Sequence, residues 1–323
     1  MQIQPTAIRD GDIISGGGRS GGKLGMRIRK HALLYVLLSF ALIWTVIFNY
    51  LPMAGIIMSF QDFNVVDGVF GSPFVGLKHF RSMVTIEPLR RAVVNTLYYS
   101  VLKLAFAFPL TIVFALLLNE LRRMMFKRIV QTISYLPYFL SWIAIVSLFY
   151  SFFELYGPFN DLRLLLLGPD APRINILMMP EYFTGVMFWS HVYKEIGWGT
   201  IIYLAAIAAV DAQLYEAAVM DGCGRFMQVF YITLPSILPT IVILFILQAG
   251  GILNANFEQI IGLQNLYTQE SSEVINTITY KYGLQQGKFS LATAFGLTQG
   301  VVSFLIMFTV NKITKKISDI GVW

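Results

Sequence analysis

The chain has a single cysteine, Cys223, and three histidines, His31, His79 and His191, on widely separated segments. One thiol excludes a disulfide framework, a thiolate metal cage and a dithiol redox pair. The histidines show no ligand spacing, and there is neither a G-x-S-x-G elbow nor an H-E-x-x-H helix. No catalytic residue and no metal ligand is therefore nominated, and the expectation is that the chain is not an enzyme. Charge is scarce too: 13% of the residues are Asp, Glu, Lys or Arg, against roughly 25% in a soluble domain.

What fills the space is apolar. Hydrophobic residues make up 56% of the chain, and several runs exceed the roughly 18 uncharged residues that can cross a bilayer. Six spans are expected near 31–55, 93–119, 129–153, 182–209, 235–257 and 289–311. All are helical, because a lone segment in lipid must satisfy its own backbone. The connections 56–92, 154–181 and 258–288 are long enough for short interfacial helices. Pro109, Pro137 and the pair Gly197 and Gly199 are expected to bend or locally unwind their helices.

Lys and Arg orient the spans. With the N-terminus in the cytoplasm, the inside segments 1–30, 120–128, 210–234 and 312–323 carry fourteen of them and the longer outside loops eight. Both termini of this multi-pass protein are therefore expected in the cytoplasm. The net charge of +6 reports this topology and attraction to anionic lipid, so no nucleic-acid partner is implied. Residues 1–30 form a Gly-rich basic tail, expected to be largely disordered, ahead of a transmembrane domain over 31–323. Within the tail, Gly17, Gly22 and Lys23 match a phosphate-binding loop, but Leu24 stands where the magnesium-binding hydroxyl belongs and no strand precedes it. ATP binding by this chain is rejected on that ground.

Between the fourth and fifth spans lies a polar-flecked stretch, EAAVMDGCGRFMQVFYITLP, in the loop 210–234 and just beyond it. It is too polar for lipid and too patterned for an idle loop. Glu216, Ala217 and Ala218 open a short amphipathic helix, and Met220, Asp221 and Gly222 follow one turn on. Small side chains at 217, 218 and 222 would let another surface approach, while Leu214 and Met220 offer apolar knobs for a groove. Pro235 suits the first turn of the next helix, where its missing N–H costs nothing.

The pattern E-A-A, three residues, G, nine residues, I-x-L-P resembles the signature of permease subunits of binding-protein-dependent ABC importers. Glu216, Ala217, Ala218, Gly222, Ile232, Leu234 and Pro235 occupy its fixed positions. NTLYYS (95–100), QTISYLPYFLSW (131–142), YKEIGWGTIIYLAAI (193–207) and NFEQIIGLQN (256–265) are similar to the branch that imports oligosaccharides and polysaccharide fragments, including the larger permease subunits of bacterial alginate importers. Cys223 stands where alanine is commoner, and the GVW terminus is less polar than in relatives. The resemblance implies an all-α integral membrane protein of the bacterial cytoplasmic (inner) membrane, of the type I importer architecture, with six transmembrane helices and a cytoplasmic coupling helix seated in an ATPase subunit. It also implies a second related permease, two ATPase copies that bind the ATP and Mg, an external (periplasmic) sugar-binding protein and an oligosaccharide substrate, acidic ones such as alginate among them. No cofactor is expected on this chain itself.

Polar groups inside a membrane are costly and default to functional candidates. The fourth span offers Trp189, Tyr193, Lys194, Glu195 and Trp198, the fifth Gln248, Asn254, Asn256 and Glu258, and the second Lys103. Aromatic faces with amides and charges suit sugars. Each group has a structural alternative: an ion pair to another helix for Lys194 or Glu195, bundle packing for the tryptophans, and interhelical hydrogen bonds for the amides. Two other functions compete with the importer. A secondary transporter or channel working without an ATPase would need acidic relays and an internal repeat; a membrane glycan enzyme would need a convergent acid–base or metal site. The sequence displays none of these clearly.

Overall fold

In the computed structural model, residues 31–322 are described. The basic tail 1–30, with its rejected phosphate loop, lies outside them. The described residues belong to two compact units, one ending at Ala54 and one beginning at Gly55. Among the described residues five helices are long and apolar enough to cross a membrane, and six when one bent pair is counted as a single span. Among the described residues β-structure is limited to an isolated bridge between Gln61 and Phe74.

In chain order the principal helices are α1 (Ala32–Phe60), α2 (Glu87–Glu120), α3 (Met124–Tyr135), α4 (Trp142–Phe153), α5 (Pro158–Leu167), α6 (Pro180–Ala208), α7 (Ala212–Met220), α8 (Arg225–Gly250), α9 (Phe257–Leu263) and α10 (Phe289–Ser318). Helices stand at five of the six expected spans, with shifted ends: α2 begins six residues before 93, α8 ends seven before 257, and α10 runs seven beyond 311. One span differs in kind. The run 129–153, expected as a single helix, is broken: α3 gives way to a 3-10 turn over Leu136–Phe139, and α4 starts only at Trp142. Pro137 sits in that turn, and Ser141 caps α4 by accepting a hydrogen bond from the Ala144 N–H at 3.2 Å.

Prolines set another local feature. Widened π-helical turns at Val46–Tyr50, Lys103–Ala107 and Val229–Thr233 each end two residues before a proline: Pro52, Pro109 and Pro235. A proline inside a helix lacks its N–H and crowds the carbonyl one turn earlier. Widening that turn relieves the clash without stopping the helix. The distortion expected at Pro109 is therefore a bulge.

The glycine pair of α6 behaves otherwise. The helix runs unbroken for 29 residues through Gly197 and Gly199, correcting the expectation that they unwind it. A Cβ on Gly197 would lie 2.0 Å from the Ser134 carbonyl oxygen, and one on Gly199 2.8 Å from the Thr111 methyl. These glycines are contact points, where α3 and α2 press against the α6 backbone.

The second unit is held by two apolar cores. One joins Tyr99, Val146, Met187, Ile260, Leu263 and Val274; the other joins Met83, Leu89, Ile275, Ile278 and Phe295. Between α1 and α2, the Lys78 ammonium bonds Asp62 at 2.8 Å and holds its carboxyl below the usual carboxylate range. The Phe63 N–H then donates to Ser290 Oγ at 2.8 Å, latching this loop to α10.

Candidate functional site

Two regions carry the sequence-nominated residues: the α6–α8 connection, and a polar interior flanked by α2, α6 and α8.

In the connection, α7 stands at 70° to α6. Asp211 starts it, its carboxylate accepting from the Gln213 N–H at 2.9 Å, which satisfies one of the free donors at a helix N-terminus. Gly222 stops it. With φ of +77° it takes the left-handed conformation, while its N–H donates to Val219 O at 3.0 Å and the Cys223 N–H to Ala218 O at 2.8 Å. That pair of bonds is the Schellman arrangement, for which a residue without Cβ is the unstrained choice. The expected reason for Gly222, close approach of another surface, has no counterpart within the chain, since an added Cβ meets nothing within 4 Å. Its backbone conformation is what demands glycine.

Two side-chain bonds fasten this connection to the start of α8. The Tyr215 hydroxyl and Thr233 Oγ1 are 2.9 Å apart, Thr233 being buried at the base of α8, and Gln228 Nε2 donates to Cys223 O at 3.1 Å. Arg225 reaches Glu120 at the end of α2, at 3.7 Å. Ile232 and Leu234 are half-buried, Pro235 exposed, and Thr233 between them carries the Tyr215 bond. On α7 itself Glu216, Ala217 and Met220 are exposed, as is Asp221 at its end, whereas Ala218 is half-buried. Leu214, Val219 and Met220 thus leave apolar surface uncovered, Met220 being 87% exposed.

The polar interior contains two compartments. The larger, of about 330 Å³, is lined by Phe108, Thr111, His191, Glu195, Trp198, Tyr203 and Gln248 among others. The smaller, of about 110 Å³, is lined by Ser100, Lys103, His191, Gln248, Asn254 and Asn256 among others. His191 and Gln248 belong to both. Of the ten nominated residues, six are thus brought together: Lys103, Glu195, Trp198, Gln248, Asn254 and Asn256. The last two lie beyond the end of α8, in the turn leading to α9, where Asn254 Oδ1 accepts from Asn276 Nδ2 at 3.3 Å.

Four do not line these compartments. Trp189 is exposed beside Phe188, Tyr193 packs edge-on against Phe149, and Glu258 is exposed in the first turn of α9. Lys194 turns to the broken third span. Its ammonium donates to Tyr138 O at 2.7 Å and Leu140 O at 2.5 Å, with Pro137 O at 3.5 Å, and sits 5.4 Å from the Tyr138 and Trp142 ring centres. A 3-10 turn and an extended residue strand these carbonyls, and one buried cation satisfies them. Trp198, a turn further along α6, stacks flat on Tyr138 at 4.5 Å, so it both braces the break and faces the larger compartment.

Two features are missed by sequence reasoning. His191 has no other histidine or cysteine near it in sequence, yet it is a wall shared by both compartments, and its Nδ1 is buried without a partner. The NTLYYS block is an anchor as well. Asn95 donates to Glu270 O and Glu273 O at 3.0 and 2.9 Å, Thr96 Oγ1 accepts from the Ile275 N–H at 2.9 Å, Tyr99 bonds Ser271 O, and Ser100 bonds Ile252 O at 2.5 Å. Residues i, i+1, i+4 and i+5 share one face of a helix, so polar residues at that spacing in an apolar span are a readable sign of a polar neighbour. Five such bonds contribute on the order of 5 kcal/mol to holding the 252–275 segment on α2.

Residues 107–318 match the family model described as binding-protein-dependent transport system inner membrane component. The chain is 40% identical over 301 residues to the polygalacturonan/rhamnogalacturonan transport system permease protein YteP of Bacillus subtilis, covering 93% of each chain. It is 38% identical to Protein LplB of the same organism, covering 98% of each. Its structure resembles a chain of a bacterial alginate ABC transporter solved in complex with alginate pentasaccharide-bound periplasmic protein, with a TM-score of 0.85, 36% identity and coverage of 93% and 100%. The matched segment contains α7, the α6–α8 connection and most of both compartments.

Proposed function

The chain belongs to the family of binding-protein-dependent transport system inner membrane components, and from that membership we propose that it forms half of the pore of an ATP-driven importer of oligosaccharides or polysaccharide fragments. A second related permease supplies the other half. Two copies of an ATPase subunit, which hold the ATP and Mg, sit on the cytoplasmic side, and an external binding protein delivers the sugar. Both termini and α7 face the cytoplasm in this reading, supported by the lysine and arginine bias of the inside segments. The relatives' named cargoes, polygalacturonan, rhamnogalacturonan and alginate, support a glycan substrate.

The observation that carries the reading is the construction of α7. It is a short helix capped at both ends, set at 70° to the span before it and bonded through Tyr215 to the base of the span after it. Its bare apolar side chains suit a groove on the ATPase. A push on such an element moves α6 and α8 together, because neither end can slip. Closure of the ATPase dimer on ATP would draw two such helices together and open the pore outward; hydrolysis would reset it. The sugar crosses the larger compartment, whose aromatic rings offer flat faces to its C–H surfaces and whose amide and carboxylate meet its hydroxyls.

The test is reconstitution of the chain with its partner permease, ATPase and binding protein in liposomes, measuring sugar uptake and ATP hydrolysis together. Uptake should require ATP and the binding protein. Gly222→Leu should insert normally and lose binding-protein-stimulated hydrolysis, because a branched side chain is strained at a φ of +77°. Uptake by the isolated chain with no ATPase, or normal stimulation in Gly222→Leu, would refute the proposal.

A further inference from the structure

We propose that the smaller compartment is a carboxylate subsite, in which Lys103 and His191 receive the acid group of a uronic-acid residue while its ring rests in the larger compartment. This rests on the importer reading above and adds a basis for selecting acidic glycans.

Lys103 sits at the centre of the 34-residue helix α2, within its π-helical turn. Its ammonium makes no hydrogen bond and no ion pair within 4 Å among the described residues. An ammonium at membrane depth with no contact partner, and only Glu195 at a distance to offset it, is costly, so retaining one points to a partner that comes and goes. The same bundle shows how a purely structural ammonium is treated: Lys194 meets three carbonyl oxygens. Lys103 instead faces a chamber of about 110 Å³ furnished with neutral hydrogen-bonding groups, from Ser100, Gln248, Asn254 and Asn256, and with His191.

His191 adds a second, independent sign. Its Nδ1 is buried with no partner, and a buried polar atom left unpaired calls for a ligand or a water. On binding, its ring turns so that the δ-protonated Nδ1, closed off from both compartments in this structure, donates to the same incoming oxygen pair that Lys103 attracts. Two donors of this kind, one charged, match a carboxylate, which has only acceptor sites.

The neighbouring acid defines where the rest of the sugar goes. Glu195 lies within electrostatic reach of Lys103 but lines the larger compartment, together with Trp198 and Tyr203. Its negative charge repels a carboxylate from that side and accepts from hydroxyls. His191 and Gln248 belong to both walls, and on binding these two side chains swing aside, so that one sugar residue places its ring on the aromatic side and its acid on the cationic side.

The experiment uses the reconstituted complex and two matched substrates, an oligouronate and the same oligomer with its carboxyl groups reduced to alcohols. The wild type should take up the acidic form in preference. Lys103→Met should lower the acidic-to-neutral uptake ratio by roughly tenfold to a hundredfold, the loss expected for one charge-assisted hydrogen bond. Lys103→Arg should restore most of the ratio, and His191→Phe should lower it less. Should Lys103→Met fail to assemble, Lys103→Gln with His191→Phe reads out the same ratio. Equal loss of both substrates in Lys103→Met with no rescue by arginine makes Lys103 structural and overturns the subsite. So does a wild type that transports both forms equally. Absence of ATP-driven uptake of either form strikes the importer reading instead.

Discussion

Replacing Lys194 by methionine should open the break in the third span. The residue is 6% exposed, and its ammonium donates at 2.7 and 2.5 Å to the carbonyls of Tyr138 and Leu140. Methionine fills much the same space and donates nothing, so two carbonyl oxygens lose their partner at about 1–3 kcal/mol each. Loss of cation–π attraction to Tyr138 and Trp142 adds about 0.5–2 kcal/mol. Relief from burying the charge offsets part of this, leaving a net loss of roughly 2–4 kcal/mol. Hydrogen–deuterium exchange of the assembled complex in nanodiscs reads that loss locally. The Leu140 N–H bonds Pro137 O and the Ala144 N–H bonds Ser141 Oγ, so both report opening of this turn. Their exchange should accelerate by about thirtyfold to several hundredfold, at a tenfold change per 1.4 kcal/mol. Lys194→Arg, which keeps the charge, should recover part of the protection. Unchanged exchange across residues 137–144 in Lys194→Met would refute the idea that this lysine holds the break.

Two further outcomes rest on close contacts. Gly197→Ala would place a methyl 2.0 Å from the Ser134 carbonyl oxygen, a backbone atom that cannot swing aside. Its cost should exceed the roughly 1–3 kcal/mol typical of overpacking and appear as a lowered melting temperature, whereas Gly185→Ala in the same helix, which meets nothing within 4 Å, should melt no lower than wild type. Tyr215→Phe removes the bond to Thr233, worth about 1 kcal/mol. It should raise the ATP hydrolysed per sugar imported in the reconstituted complex; an unchanged ratio would mean that this bond transmits nothing.

The capping glycine shows how one residue can have two physical reasons, one inside the chain and one outside it. The motif singles out Gly222, and its smallness alone suggests that another surface packs there. Positive φ at the end of α7 explains the residue without a neighbour. The distinction is chemical. A packing glycine tolerates alanine poorly and asparagine worse, whereas a left-handed cap accepts asparagine best among replacements.

Composition and local pattern alone determined that this is a helical membrane protein with a short capped helix after its fourth span. Those properties depend on residues adjacent in sequence: a helix in lipid satisfies its own backbone, and a short capped helix needs only its own caps and glycine. Which polar residues line the two compartments depended on the register between helices, and no local pattern encodes that. Lys194 and Glu195 are neighbours in sequence, yet one ends on the carbonyls of a broken helix and the other in a cavity, because successive residues of a helix point about 100° apart. His191 became visible only when α2 and α8 closed around it. Tertiary structure decided the site because it is made of contacts between segments about 150 residues apart, Ser100 meeting Ile252 among them.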